Sequence, residues 1–118
     1  MKQRTKAFAL RVIKLVNTAS NDFVGRQVCD QLLRSGTSVV ANHRSACRAK
    51  SKANFINKLG IIEEEADESA LWIELMSESR VVSHRKVEKL LDEANQIAAM
   101  MVASRKSLGR PVNQKSRF

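Results

Sequence analysis

Apolar residues recur three and four positions apart along almost the whole chain, and its one proline stands at position 111. That spacing puts side chains on one face of a 3.6-residue helix. With four glycines and one proline in 118 residues, a turn-rich all-β architecture has too few breakers to form. Four amphipathic segments follow. Residues 5–19 align Phe8, Val12, Leu15, Val16 and Ala19 opposite Lys6, Arg11 and Lys14. Residues 17–25 have turn composition, and Asn21 or Asp22 can cap the next helix. Residues 23–48 carry two adjacent stripes: Val28, Leu32, Ser35, Val39, Asn42 and Ala46, beside Cys29, Leu33, Gly36, Val40, His43 and Cys47. A face that wide, with Ser35, Gly36, Ser38 and Ala41 small, predicts a helix contacted on two sides.

Ser51 is the expected cap of a third helix bearing Phe55, Leu59, Ile62, Ala66, Ser69, Ile73 and Met76. Ser83 is the expected cap of a fourth, in which Val87, Ala94, Met101 and Leu108 repeat every seven residues. Gly109 and Pro111 end it. A chain of this length supports one core. Four helices with short connections predict an all-α, antiparallel up-down-up-down four-helix bundle over residues 1–109, followed by a basic tail at 110–118.

Charge narrows the partners. Lys and Arg number 21 against 12 Asp and Glu, a net charge of +9, which argues for a polyanion, nucleic acid before membrane. The longest apolar run, Ile97 to Ala103, is far below the roughly 20 residues of a membrane span. Residues 1–20 carry five bases and no acid, superficially like a presequence, yet their apolar positions continue as a regular helix face. Two cysteines without CxxC spacing fit a reducing, cytoplasmic setting. Aromatic residues are 4% of the chain and tyrosine is absent, so a stacking platform for single strands is not expected.

By segment, residues 61–80 carry −6, while residues 1–20, 49–60 and 81–118 carry +5, +3 and +5. In an antiparallel bundle both termini and the second connection share one end. Lys2, Arg4, Lys6, Arg48, Lys50, Lys52, Arg105, Lys106 and Arg110 are therefore expected to converge there as a phosphate-binding surface, weakly sequence-specific and strongly salt-dependent.

Catalytic signals are missing. The acidic run at residues 63–68 lacks the Glu-x-x-His pairs of a di-metal bundle, and His43 with Cys47 falls short of the four ligands of structural zinc. The chain has no nucleophile elbow and no glycine-rich phosphate loop. No enzyme activity, cofactor or metal is expected.

Three blocks in order, Arg34-Ser-Gly-Thr-Ser-Val-Val-Ala-Asn-His-Arg44, Ser51-Lys-Ala-Asn-Phe-Ile-Asn-Lys-Leu-Gly-Ile61 and Glu65-Ala-Asp-Glu-Ser-Ala-Leu-Trp-Ile-Glu-Leu75, resemble the four-helix-bundle family of 23S ribosomal RNA intervening-sequence proteins. Asn54, Val40 and His43 depart from its usual pattern. The resemblance implies a bacterial, non-enzymatic bundle that forms a homo-oligomeric ring, a homopentamer; with the clustered Lys and Arg, the expected partner is nucleic acid, structured or ribosomal RNA before DNA. A related branch, the accessory variability determinant of diversity-generating retroelements, implies the alternative of a reverse-transcriptase partner. A purely structural assembly protein is a third reading. Arg34, Asn42 and Arg44 on helix two, with Glu64, Glu65 and Glu68 on helix three, are expected to pair as a polar network setting register or subunit contacts. Gly36 admits a close backbone, while Phe55 and Trp72 are large anchors for core or interface.

Overall fold

The computed structural model describes residues 1–19 and 21–109, the side chain of Lys86 excepted; the expected tail at 110–118, Arg110 included, lies outside them. Four helices occupy this span: α1 (Lys2–Asn17), α2 (Phe23–Ala46), α3 (Lys52–Glu78) and α4 (His84–Leu108). There is no strand among the described residues. α1 begins three residues before its expected start, and α2 ends two before its expected end, at Ala46, with Cys47 as its C-cap. Nothing in residues 2–4 breaks a helix, so the ladder extends to Met1.

Local chemistry sets most ends. The Asp22 carboxylate accepts from the Gly25 amide at 2.7 Å, and the Ser51 hydroxyl from Asn54 at 3.0 Å. Each satisfies an amide with no partner inside the helix. Ser83 occupies the N-cap of α4, but its side chain makes no capping bond. Gly109 caps α4 with right-handed backbone, φ −81°, so its conformational freedom is not used.

The left-handed position lies elsewhere, at Arg80, φ 66°. There α3 ends in a Schellman turn: the Val81 amide reaches back to Met76 O at 2.9 Å and the Arg80 amide to Ser77 O at 3.2 Å. A side chain at that φ is disfavoured relative to glycine.

Each helix packs on its chain neighbours, and α4 closes onto α1. The 55 × 22 × 21 Å envelope has the cross-section of a two-by-two array, given helix diameters of about 10 Å. Phe8, Val12, Leu32, Val39, Ile62, Ile73, Met76, Val87 and Ile97 are buried along the shared seam, with Phe55 and Trp72 half-buried against it. The two stripes of α2 are both used within the chain, one toward α1 and one toward α3. Their width therefore needs no second subunit.

One level of α2 sets both contacts. A Cβ on Gly36 would stand 3.0 Å from both methyls of Val12, and the neighbouring Ser35 bonds Ser69 of α3 at 2.9 Å. Val12 is fully buried and, being β-branched, has essentially one helical rotamer. Gly60 differs, since its nearest neighbour would be the flexible Arg105 stem at 3.7 Å.

Gly60→Ala should therefore raise stability by up to about 1 kcal/mol through helix propensity, whereas Gly36→Ala should lower the urea midpoint despite the same gain. Equal stabilisation by both would mean that α1 is not seated on Gly36. Arg80→Gly should raise the midpoint, by about 1 kcal/mol or less, and an unchanged or lower midpoint would show that the Arg80 side chain compensates its backbone.

Candidate nucleic-acid interface

Three exposed cations cluster at the expected end. Arg44 and Arg48, one turn apart at the end of α2, stand with Lys50 of the connection and Asn54 of α3 around an open depression of about 610 Å³. Ala41 and Ser45 complete its lining, which has no acidic residue. A smaller groove of about 180 Å³ joins it across Arg44, between Lys2, Gln3, Thr5 and Lys6 of α1 and Val40 and His43 of α2. Arg44 thus borders both. A network with α3 is the expectation for Arg44, but it makes no ion pair among the described residues and lines the basic depression. Its i, i+4 spacing from Arg48 was the available signal.

His43 is half-buried in the smaller groove, and burial, then the nearby N-terminus and Lys2, push its pKa below the ordinary histidine value. Its Nδ1 lies 3.9 Å from Cys47 Sγ. Among the described residues no three His, Cys, Asp or Glu side chains gather as a metal site.

Arg4 and Arg105, both expected phosphate ligands, are engaged inside the chain. The Arg4 guanidinium forks onto Glu93, with Nε donating at 2.6 Å and Nη2 at 2.8 Å, and Nη2 also donates to Gln96 at 2.8 Å. This bidentate geometry ties the start of α1 to α4. It raises the pKa of Arg4 and holds the Glu93 carboxyl below the usual carboxylate range, the hydrogen bond between them being the larger cause in each case. Arg105 pairs with Glu63 of α3, and its Nε is buried without a partner. Lys2, Lys6, Arg48, Lys50, Lys52 and Lys106 are exposed.

The expected polar network exists in part. Arg34 bonds Glu68 and lies 3.4 Å from Glu65, and the Trp72 indole N–H donates to Glu68 at 3.2 Å. Asn42 turns instead to Ser38, donating to its carbonyl and hydroxyl oxygens at 2.9 Å. The Arg34 side chain is 49% exposed, so the severe penalty of an unpaired buried charge does not arise. A pair so exposed is screened by solvent and contributes little to stability. The buried polar link between α2 and α3 is Ser35–Ser69, and the single Ser69 hydroxyl hydrogen can alternatively be given to Glu65 O, 2.8 Å away. In the sequence both serines stand within apolar series, Ser35 also as one of the small residues of α2, and neither announces a hydrogen bond to the other.

At the opposite end, Ser77 Oγ and His84 Nδ1 are 2.8 Å apart, but no carboxylate orients that imidazole. No helix among the described residues is long and apolar enough to cross a membrane.

The Arg4–Glu93 fork makes a pH prediction. A carboxyl whose pKa is lower folded than unfolded contributes stability above its unfolded value of about 4.3, and the contribution is lost as pH falls through the folded value. Urea titrations should therefore show Glu93→Gln less stable than the native chain at pH 7, the gap closing toward pH 3. A gap independent of pH would show that the fork contributes packing rather than charge.

Comparison with known proteins agrees with this architecture. Among curated proteins none matches the chain. A crystal structure of a protein with unknown function from the S23 ribosomal protein family of Bacteroides thetaiotaomicron is similar at 33% identity and a TM-score of 0.81, covering 89% of this chain and 97% of that one. The family described as 23S rRNA-intervening sequence protein matches residues 1–103. With that match spanning nearly all of the four helices, the chain belongs to the 23S rRNA-intervening sequence protein family.

Proposed function

We propose that this protein is a non-enzymatic, homo-oligomeric bundle that binds structured or ribosomal RNA on its basic end and acts as a scaffold in the cytoplasm. In this reading the chain runs up-down-up-down, and copies associate as a ring. The observation that carries the nucleic-acid half is the cluster of Arg44, Arg48 and Lys50 around an open depression lined by no acid. Lys2 and Lys6 extend it across Arg44, and Lys52 and Lys106 belong to the same basic set. The family description, 23S rRNA-intervening sequence protein, favours RNA over DNA.

Exposed cations around an open surface recognise phosphate rather than bases, so binding releases counterions and weakens steeply with salt. Arg4 and Arg105 act differently. Their guanidinium groups hold α4 against α1 and α3, and they support the surface without contributing full charge to it.

The test is a salt series of the purified chain on a structured RNA. Arg44→Ala/Arg48→Ala/Lys50→Ala should weaken binding at every salt concentration and flatten the log–log slope by about 2 to 3, one phosphate per lost cation. Arg26→Ala, exposed at the other end of α2 and bonded to Asn21 O, should leave the slope unchanged. No binding by the native chain at low salt would overturn the nucleic-acid reading and favour a purely structural assembly.

A further inference from the structure

We propose that a second copy of this chain docks head-to-tail, the acidic outer stripe of its α3 lying on the basic outer stripe of α1. This rests on the self-assembly half of the function proposed above and names the two surfaces that carry it.

Begin with α1. Its buried face is Thr5, Phe8, Ala9, Val12 and Leu15. On the opposite face, at intervals of four, three and four, stand Lys6, Leu10, Ile13 and Asn17, all exposed. Lys14 lies beside Leu10, and α1 contains no acidic residue. On α3 the buried face runs from Leu59 to Met76. Away from it, Glu64, Asp67, Leu71, Leu75 and Glu78 form a stripe of the same periodicity, with Glu74 beside it, all exposed. Each helix thus turns outward a pair of large apolar side chains set among charges of one sign, and the two signs are opposite.

The apolar members are not scattered. Leu10, Ile13, Leu71 and Leu75 are 57%, 38%, 47% and 38% exposed, and they are four of the eight exposed large apolar side chains among the described residues. Isolated exposed leucines are ordinary; aligned pairs on a helix face are a feature of interaction surfaces.

Geometry makes the two stripes compatible. α1 and α3 do not touch and lie diagonally across the bundle, each packed between α2 and α4. At one level of α2, Gly36 receives Val12 while Ser35 bonds Ser69. Val12 and Ser69 therefore share a height, and with them Leu10 and Ile13 share that of the Asp67–Leu71 stretch. Two copies can meet side by side with little axial offset. Pairing α1 with α1 would oppose Lys6 and Lys14 to themselves, and pairing α3 with α3 would oppose its carboxylates. Only the head-to-tail contact matches charge with charge. Such a contact is heterologous: it closes into a ring if the rotation permits and otherwise propagates.

Charge exchange tests this, read as molar mass by light scattering on nucleic-acid-free protein, with circular dichroism confirming the fold. The native chain is expected to assemble. Lys6→Glu/Lys14→Glu and Asp67→Lys/Glu74→Lys, each alone, should give helical monomers. All four exchanges combined in one chain should restore assembly, because each copy then offers an acidic α1 to the basic α3 of the next. A native chain that is monomeric overturns the inference together with the assembly reading. A native oligomer whose mass survives either exchange, or a chain carrying all four exchanges that is helical yet monomeric, overturns these faces while leaving assembly and RNA binding standing.

Discussion

The seat of Val12 on Gly36 governs much of this molecule. A glycine in mid-helix costs helix propensity, about 1 kcal/mol relative to alanine, and is kept here where a β-branched side chain of α1 occupies the space of its missing Cβ. On the neighbouring position Ser35 meets Ser69 through a buried hydroxyl pair. Two small residues thus fix, at one height, how α1 and α3 lie against α2. The fourth helix then has one groove left, between α1 and α3, and the apolar heptad positions of α4 fill it.

Once the helices are so placed, electrostatics sorts the cations into two populations. Arg4, Arg34 and Arg105 each reach a carboxylate on another helix, Glu93, Glu65 with Glu68, and Glu63 respectively. These pairs are partly exposed, so each is a modest contribution to stability, but each removes a cation from the surface that a polyanion would meet. Arg44, Arg48 and Lys50 have no such carboxylate beside them and retain their charge for the outside. Net charge of +9 therefore overstates the functional surface. What matters is the local excess at the α2–α3 connection, and the separate contrast between a basic α1 and an acidic α3.

Periodicity made the four helices legible, because burying one face of a helix demands apolar residues at a fixed spacing and no other element tolerates that pattern. Asp22 and Ser51 were legible as caps, since a short side-chain oxygen before an apolar run has few other uses. The family could be read from three ordered blocks. Arg80 was not legible: a Schellman turn favours glycine, and nothing in a linear string announces an arginine in that place. Nor was the Ser35–Ser69 bond, because a serine in an apolar series looks the same whether it is a gap or half of a pair.

The sequence by itself thus determined the number and class of elements, their approximate ends, the family and the sign of the surface charge. The family follows from the resemblance of three ordered blocks, and the rest from interactions between residues close in the chain or from composition. Which arginines face solvent was decided only by tertiary structure. A guanidinium reaches carboxylates far away in sequence, and Arg4 finds Glu93 across 89 residues only after α4 has returned beside α1. The same holds for Arg44, whose neighbours are set by where α1 begins and α3 starts. Charge is written in the sequence, but pairing depends on distance, and distance exists only in the packed bundle.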